Sequence, residues 1–333
     1  MMDHRHRLEH ALSVFEARHS PEFSRTLQDA LDVMLAPLRQ APSSQNAWSS
    51  SSLSADGYPI ELTFASMDPS IRFTFDAALP RTDIDARLQD TIELLELLDG
   101  DSSWGALGAH QALARRSDLT WGAWLGSRFR EDGSRYKLYA ELTPSSMALV
   151  EQELARMLGE RPLDPGVPFL PAALGLEPER GISEYYFIFD EFGLSWSWID
   201  RLLFRIGLEQ QSRDLLLLFQ NTRGFARHDV ATPFVPTRYG FSFAFDANGD
   251  PIAFSLFAFA RRMGASDASI RENVAHIAHE RGWGMEDYLA LTEDAKHEQN
   301  AQRCHFHNAI GCVVSPYSEP GLYISLTPPG RAS

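Results

Sequence analysis

Three short segments set charged or hydroxylated side chains at every second position between large apolar ones. They are Ile60-Glu61-Leu62-Thr63-Phe64, Ile71-Arg72-Phe73-Thr74-Phe75 and Tyr136-Lys137-Leu138-Tyr139-Ala140. Alternation at period two is the signature of a β-strand, so Glu61 shares a face with Thr63, Arg72 with Thr74, and Lys137 with Tyr139. The opposite faces (Leu62, Phe64; Phe73, Phe75; Tyr136, Leu138) are apolar enough to be packed away. If the polar faces met water, this would be an ordinary two-faced sheet. If helices cover the apolar faces and the sheet closes, the polar faces line an enclosed channel instead. Such a channel would hold a carboxylate able to take a proton, fixed cations able to neutralise an anion, and phenol rings.

The elements that must position these residues follow from periodicity and turn signals. Residues 6–18 and 21–39 read as amphipathic helices, the second with Phe23, Leu27, Leu31 and Leu35 at fourfold spacing. A Ser-rich loop runs from Ala41 to Asp56. Strands at 59–66 and 70–77 are joined by Met67-Asp68-Pro69, and helices follow at 83–98 and 107–115. Strands at 119–129 and 134–142 turn at Glu131-Asp132-Gly133, and 145–158 is helical. Five prolines between Gly159 and Gly181 read as a long irregular loop. Residues 182–189 form a strand and 202–219 are mostly helical, while the periodicity of 192–205 suits either state. A hairpin spans 238–245 and 251–260 around Ala247-Asn248-Gly249. Helices at 266–281 and 285–302 precede a last hairpin, 304–314 with 320–327.

Helix, strand, strand, helix thus recurs four or five times. Antiparallel hairpins separated by helices cannot make a parallel doubly wound sheet. A closed antiparallel β-barrel of about ten strands within a ring of helices buries every helix and removes every sheet edge, giving an α+β fold. Residues 1–333 are read as one domain, with 1–52 as a helical segment and Ser-rich loop and 53–327 as the barrel repeats.

Composition bounds the function. The chain has 333 residues, 44% hydrophobic and 11% aromatic, which is ample for a large core. A net charge of −15 argues against nucleic acid, whose phosphates demand a basic surface. Cys304 and Cys312 read as two reduced thiols, so a cytoplasmic protein is expected. The N-terminal residues lack an apolar signal core, and no run approaches the ~18 apolar residues of a membrane span. His305-Phe306-His307 would put two imidazoles on one strand face, but no third ligand has metal-site spacing, so no metal is assigned. Gly105-x-x-Gly108 reads as a helix start, and the aromatic run Phe187, Phe189, Phe192, Trp196, Trp198 as core.

The run DGYPIELTF, followed after six residues by IRFTFD, resembles the opening hairpin of the dimethylallyltryptophan-synthase-like aromatic prenyltransferases. SRYKLYAEL resembles the lysine-x-tyrosine strand of their second hairpin, and WGAWLGSRF is similar to the matching strand of cyanobactin-type peptide prenyltransferases. The likeness follows the order of elements over roughly residues 53–327, with about thirty residues matching closely. It implies the αββα prenyltransferase (PT) barrel and transfer of a dimethylallyl or geranyl group from its diphosphate to an aromatic acceptor. The acceptor would be an indole or phenol, free as in tryptophan or within a peptide. By the same resemblance Glu61 is the acceptor-binding general base, and Arg72 and Lys137 bind diphosphate. Arg238 compensates for missing basic positions, and Tyr139, Tyr186, Tyr239 and Tyr323 shield the allylic cation. The third hairpin lacks the family's arginine-x-lysine-x-tyrosine cluster, for which Arg201 or Arg205 are the nearest substitutes. The protein would act as a monomer or homodimer. A barrel that binds a hydrophobic ligand without catalysis is the alternative of another class, but it gives no reason for Glu61, Arg72 and Lys137.

Because arginine and lysine replace a metal clamp in this reading, no cofactor is required and magnesium is not essential. Transfer of label from dimethylallyl diphosphate should therefore persist in excess EDTA. An absolute magnesium requirement would overturn the assignment.

Overall fold

Ten strands are hydrogen-bonded in a ring, each antiparallel to both neighbours. The computed structural model describes residues 4–41, 46–77, 83–100, 104, 118–159, 169–189, 195–222, 238–297 and 304–330. Five hairpins supply the strands: β1 (Ile60–Ala65) with β2 (Asp68–Phe75), β3 (Ala123–Arg130) with β4 (Gly133–Glu141), and β5 (Leu170–Glu177) with β6 (Ile182–Phe189). The last two are β7 (Tyr239–Phe245) with β8 (Pro251–Phe259) and β9 (His307–Ser315) with β10 (Ser318–Leu326). β1 closes the ring against β10, with Thr63 opposite Ser325 and Ala65 opposite Tyr323. The hairpin turns all lie at one mouth, and the helical connections all leave from the other.

Eight α-helices surround the ring among the described residues: α1 (His4–Glu16), α2 (Pro21–Gln40), α3 (Ile84–Asp99), α4 (Met147–Leu158), α5 (Trp196–Arg205), α6 (Ser212–Thr222), α7 (Asp267–Arg281) and α8 (Glu286–Leu291). Local chemistry sets several ends. Ser20 accepts a hydrogen bond from the Phe23 amide ahead of Pro21, and α7 opens on a Ser266–Ser269 capping box and stops at Gly282 in the left-handed region (φ 66°).

The apolar strand faces form the core beneath these helices. Leu62, Phe73, Phe75 and Leu138 are fully buried, and the Phe15 ring of α1 lies 6.3 Å from Phe64 and 6.4 Å from Phe73. On the far side Phe187, Phe189 and Phe241 pack with Phe169 and with Trp198 of α5. That aromatic run is core, as its composition suggested; Phe192 lies outside the described residues. Each such side chain contributes about 1.5–3 kcal/mol on burial, so the helical shell and not the channel holds the barrel together.

Several boundaries differ from the sequence reading. The proline-rich stretch contains a strand, β5, whose Pro171 sits beside a register shift between Pro171 and Ala173. A bulge is where a strand tolerates a residue without an N–H. The ambiguous 192–205 segment is helical from Trp196, and the expected 202–219 helix is broken by a 3-10 turn at Glu209–Gln211. The first turn is Ser66-Met67, which places Asp68 and Pro69 inside β2. The helix expected at 107–115 and the glycine pair at 105 and 108 lie outside the described residues. His305 precedes β9 and is exposed while His307 is buried, so the two imidazoles do not share a strand face.

Four glycines on the inner face let large side chains of neighbouring strands lie flat against the wall. A β-carbon at Gly311 would come within 2.3 Å of the Tyr323 ring, one at Gly240 within 2.3 Å of Phe257, one at Gly126 within 2.7 Å of Tyr139, and one at Gly175 within 2.3 Å of the Lys137 side chain. Their absence keeps the channel wide. Gly311→Ala should push the Tyr323 ring into the channel and cost roughly 1–3 kcal/mol, as overpacking does. Thermal melts measure the cost, and an unchanged Tm would show that the ring has other room.

Candidate active site

The side chains on the inner face fall into three zones. At the hairpin mouth, Arg72 of β2 stands directly opposite Arg128 of β3, which stands directly opposite Arg135 of β4. Like charges facing each other across strands are destabilising. The row is held by one carboxylate. Asp68 accepts from Arg72 at 2.6 Å and from Arg130 at 2.7 and 3.0 Å, and lies 3.4 Å from Arg128. Ser70 adds a hydroxyl contact to Arg72 at 3.2 Å. Burial would raise the Asp68 carboxyl, but the charges of Arg72 and Arg128 outweigh it and hold it well below the usual carboxylate range. Arg128 is itself lowered, by burial and by its arginine neighbour. Three guanidinium groups around one carboxylate leave an excess of two positive charges, still 25–36% exposed and turned to the channel.

The middle of the channel carries a second group. Lys137 donates to Glu184 of β6 at 2.5 Å and to the Tyr186 hydroxyl at 3.3 Å, with Glu177 at 3.9 Å. Ser242 of β7 donates to the other Glu184 oxygen at 2.6 Å. Burial alone would lower the Lys137 ammonium, but Glu184 with Tyr139 and Glu177 raises it above its ordinary value, and Lys137 in turn holds Glu184 low despite burial. The ammonium lies 5.1 Å from the Tyr139 ring centre and 5.5 Å from that of Tyr186, and the two rings are 5.8 Å apart. Tyr323 completes the aromatic lining, 6.5 Å from Phe257. Burial pushes the phenols of Tyr186 and Tyr323 well up, so both stay protonated.

The third zone, toward the helical mouth, is Glu61. Its side chain is part-buried, and the carboxylate accepts from the Asn308 amide at 2.7 Å and also from Ser325. Burial pushes its pKa up to about 7, against the pull of these two donors. Nearby, Trp124 faces the channel opposite Tyr139 and stacks on Trp121 at 3.8 Å. Glu141 fixes that pair by accepting from the backbone amides of Thr120, Trp121 and Gly122 at 2.5–2.9 Å. The indole N–H of Trp124 is buried with no protein acceptor.

Of the sequence-selected residues, Glu61, Arg72, Lys137, Tyr139, Tyr186 and Tyr323 share the inner face. Tyr239 does not. Its position in β7 pairs with the outward-facing Phe189, and its ring is buried 6.2 Å from Phe219 of α6, in the helix layer. Arg238 is at the mouth opposite the arginine row, with its guanidinium carbon 5.3 Å from the Phe259 ring. Arg201 and Arg205 lie on α5, outside the barrel, and cannot stand in for a channel cluster. On β6 the inner-face positions are Ile182, Glu184, Tyr186 and Ile188, and Glu177 of β5 stands opposite Ile182, so acids occupy positions expected to be basic.

Sequence reasoning missed Asp68, Arg128, Arg130, Glu184 and Asn308. The signal for the arginines was present: Arg128 and Arg130 alternate before the Glu131-Asp132-Gly133 turn, and that turn pairs Arg128 with Arg135. Among the described residues one trio of metal-ligand type groups together, Asp267, Cys304 and His307, all buried in the helix layer and joined by hydrogen bonds. Both cysteines are free and buried, and no described helix is long and apolar enough to cross a membrane.

The architecture has known counterparts. No family model and no curated protein matches the sequence. Among solved structures, the chain is similar to 5-dimethylallyltryptophan synthase from Streptomyces coelicolor at TM-score 0.71 and 18% identity, covering 98% of this chain and 97% of that one. It is similar to the prenyltransferase PriB at TM-score 0.77 and 16% identity, with 98% and 97% covered. A third is 6-dimethylallyltryptophan synthase from Micromonospora olivasterospora, solved in complex with DMASPP and Trp, at TM-score 0.73, 16% identity and 98% of both chains. The fold is therefore that of the PT barrel over nearly its whole length.

Removing the Asp68 charge should expose the cost of the arginine row. Asp68→Asn is expected to lose on the order of 2 kcal/mol at neutral pH, less than the ~3–5 of a fully buried broken pair because the guanidinium groups are partly solvated. The folded carboxyl is depressed, so its contribution is present above the ordinary carboxylate range and is lost as pH falls through that range toward the folded value. Denaturant melts at neutral and acid pH should show wild type and variant converging in acid. A constant gap would mean that the ion cluster is not the source.

Proposed function

We propose that this protein is an aromatic prenyltransferase that joins a dimethylallyl group, from its diphosphate, to an indole such as that of tryptophan. The observation that carries the reading is the arginine row. Arg72 and Arg128 face each other with Arg130 beside them and one carboxylate between, a surplus of positive charge inside the channel. Its natural complement is a compact polyanion, and guanidinium groups match phosphate oxygens two at a time. A neighbouring structure solved in complex with DMASPP and Trp supports the same choice of substrates.

The reaction then follows the order of the zones. The C–O bond of the donor breaks, and its electron pair leaves with pyrophosphate, whose growing charge the arginines take up. The allylic cation is left among the faces of Tyr139, Tyr186 and Tyr323, where ring quadrupoles attract it and water is excluded. An indole stacked toward Trp124 attacks the cation with its π-electrons. Glu61, ionised in about half of the molecules at neutral pH, takes the proton released when aromaticity returns. Lys137 is already matched by Glu184, so it serves less as a free phosphate ligand than as a fixed charge that keeps Tyr139 and Tyr186 in place. The protein is proposed to act in the cytoplasm and without a metal.

Labelled dimethylallyl diphosphate with a panel of indoles, phenols and indole-containing peptides tests the reading directly. Arg72→Ala and Arg128→Ala should each cost roughly 2–4 kcal/mol in kcat/KM. Glu61→Gln should retain the fold and lose about a hundredfold or more in rate. Wild-type kinetics in both arginine variants would place the diphosphate elsewhere, and absence of any prenylated product would favour a barrel that only binds.

A further inference from the structure

Asn308 reaches Glu61 only because β9 is irregular. Between Ser325–Ala309 and Leu326–His307 the register against β10 shifts, so β9 carries one residue more than its partner. In a regular strand Asn308 would turn to the helix layer and His307 to the channel. The bulge reverses both. His307 faces outward, fully buried, and Asn308 faces inward with its amide 2.7 Å from the Glu61 oxygen.

The reversal is anchored from outside the barrel. Asp267, the first residue of α7, takes the backbone amides of His305, Phe306 and His307 at 2.5, 3.3 and 3.1 Å and the His307 Nδ1 at 2.7 Å. Tyr288 of α8 meets His307 Nε2 at 2.9 Å. Burial lowers the imidazole below its ordinary value. The neutral ring then donates from Nδ1 to the carboxylate and accepts at Nε2 from the phenol, which satisfies both imidazole nitrogens. So complete a network spent on three residues of a strand start fixes the backbone that carries Asn308.

We infer that Asn308 is a positioning residue for Glu61, donating a hydrogen bond that orients the carboxylate and favours its charged form. The inference rests on Glu61 being the proton acceptor proposed above. The other groups around that carboxylate leave this task to Asn308 and Ser325. On β10 the inner face offers Tyr323, protonated, and Ser325; on β2 it offers Thr74, and Arg72 one pair further on, already bound to Asp68. Asp76, beyond the end of β2, is paired with Arg87 of α3. Inner positions Ala309, Gly311 and Val313 of β9 carry no titratable group.

The test reads the Glu61 carboxyl itself, by isotope-edited infrared or NMR titration of protein labelled at the glutamate carboxyl carbon, with the signal assigned by its loss in Glu61→Gln. Asn308→Ala removes a donor to the charged form, so the midpoint should rise by about one unit or more, with Tm nearly unchanged because the residue is only part-buried. Asn308→Asp should raise it further, since two carboxylates would then share the site. At pH 7 the ionised fraction would fall from about one half to about one tenth. Turnover should drop about fivefold and recover one unit higher in pH, with kcat and not KM carrying the change. A midpoint that stays put in Asn308→Ala overturns the inference. If the midpoint moves but wild-type protein prenylates nothing, the contact stands and the proposed reaction falls.

Discussion

Arg72 and Arg128 stand face to face inside a closed ring, and the rest of the channel is arranged around keeping them there. Coulomb repulsion between such neighbours grows as water is removed; Asp68 offsets it by direct contact, and Glu177 acts on Arg128 from further away. That carboxylate is available because the first turn is two residues long and brings Asp68 into β2, four residues before Arg72 on the same face. Net positive charge remains after the pairing, which is what an anion site requires and what a purely structural ion cluster would avoid.

A channel built in this way contributes little to stability, so the opposite strand faces must supply it. Phe73, Phe75, Phe187, Phe241 and Leu138 do so against the helices. Ring closure satisfies every strand on both sides, and no edge has to be covered. The division of labour explains why an aromatic residue in a strand has two quite different meanings here. Tyr139 and Tyr323 lie flat over inner glycines and line the channel, while Tyr239, one residue out of step, is part of the shell.

Charge matching also divides the channel lengthwise. Lys137 and Glu184 neutralise each other in the middle, where the tyrosine rings converge, and the surplus of the arginine row lies at the hairpin mouth. Glu61 sits away from the arginines and meets only neutral donors, so burial and not a countercharge sets its protonation. The channel thus carries its cations at one end and a near-neutral-pKa carboxyl toward the other.

Four of the five hairpins, their order, the closed barrel and the polar face bearing Glu61, Arg72, Lys137 and Tyr139 were legible in the residues, because period-two alternation and turn signals are local. The N-terminal helices and the strand pair around Asn248 were legible for the same reason. What escaped was non-local or ran against local propensity. Pro171 masked β5, since a bulge tolerates a proline that composition assigns to a loop. Glu184 as the partner of Lys137 depends on β4 and β6 flanking a glycine-bearing β5. The face of Tyr239 depends on the pairing of β7 with β6. Asn308 depends on a bulge held by Asp267, forty residues distant. Local pattern decides which residues can share a face, but which faces meet, and across what distance a charge finds its partner, is decided only when the ring closes.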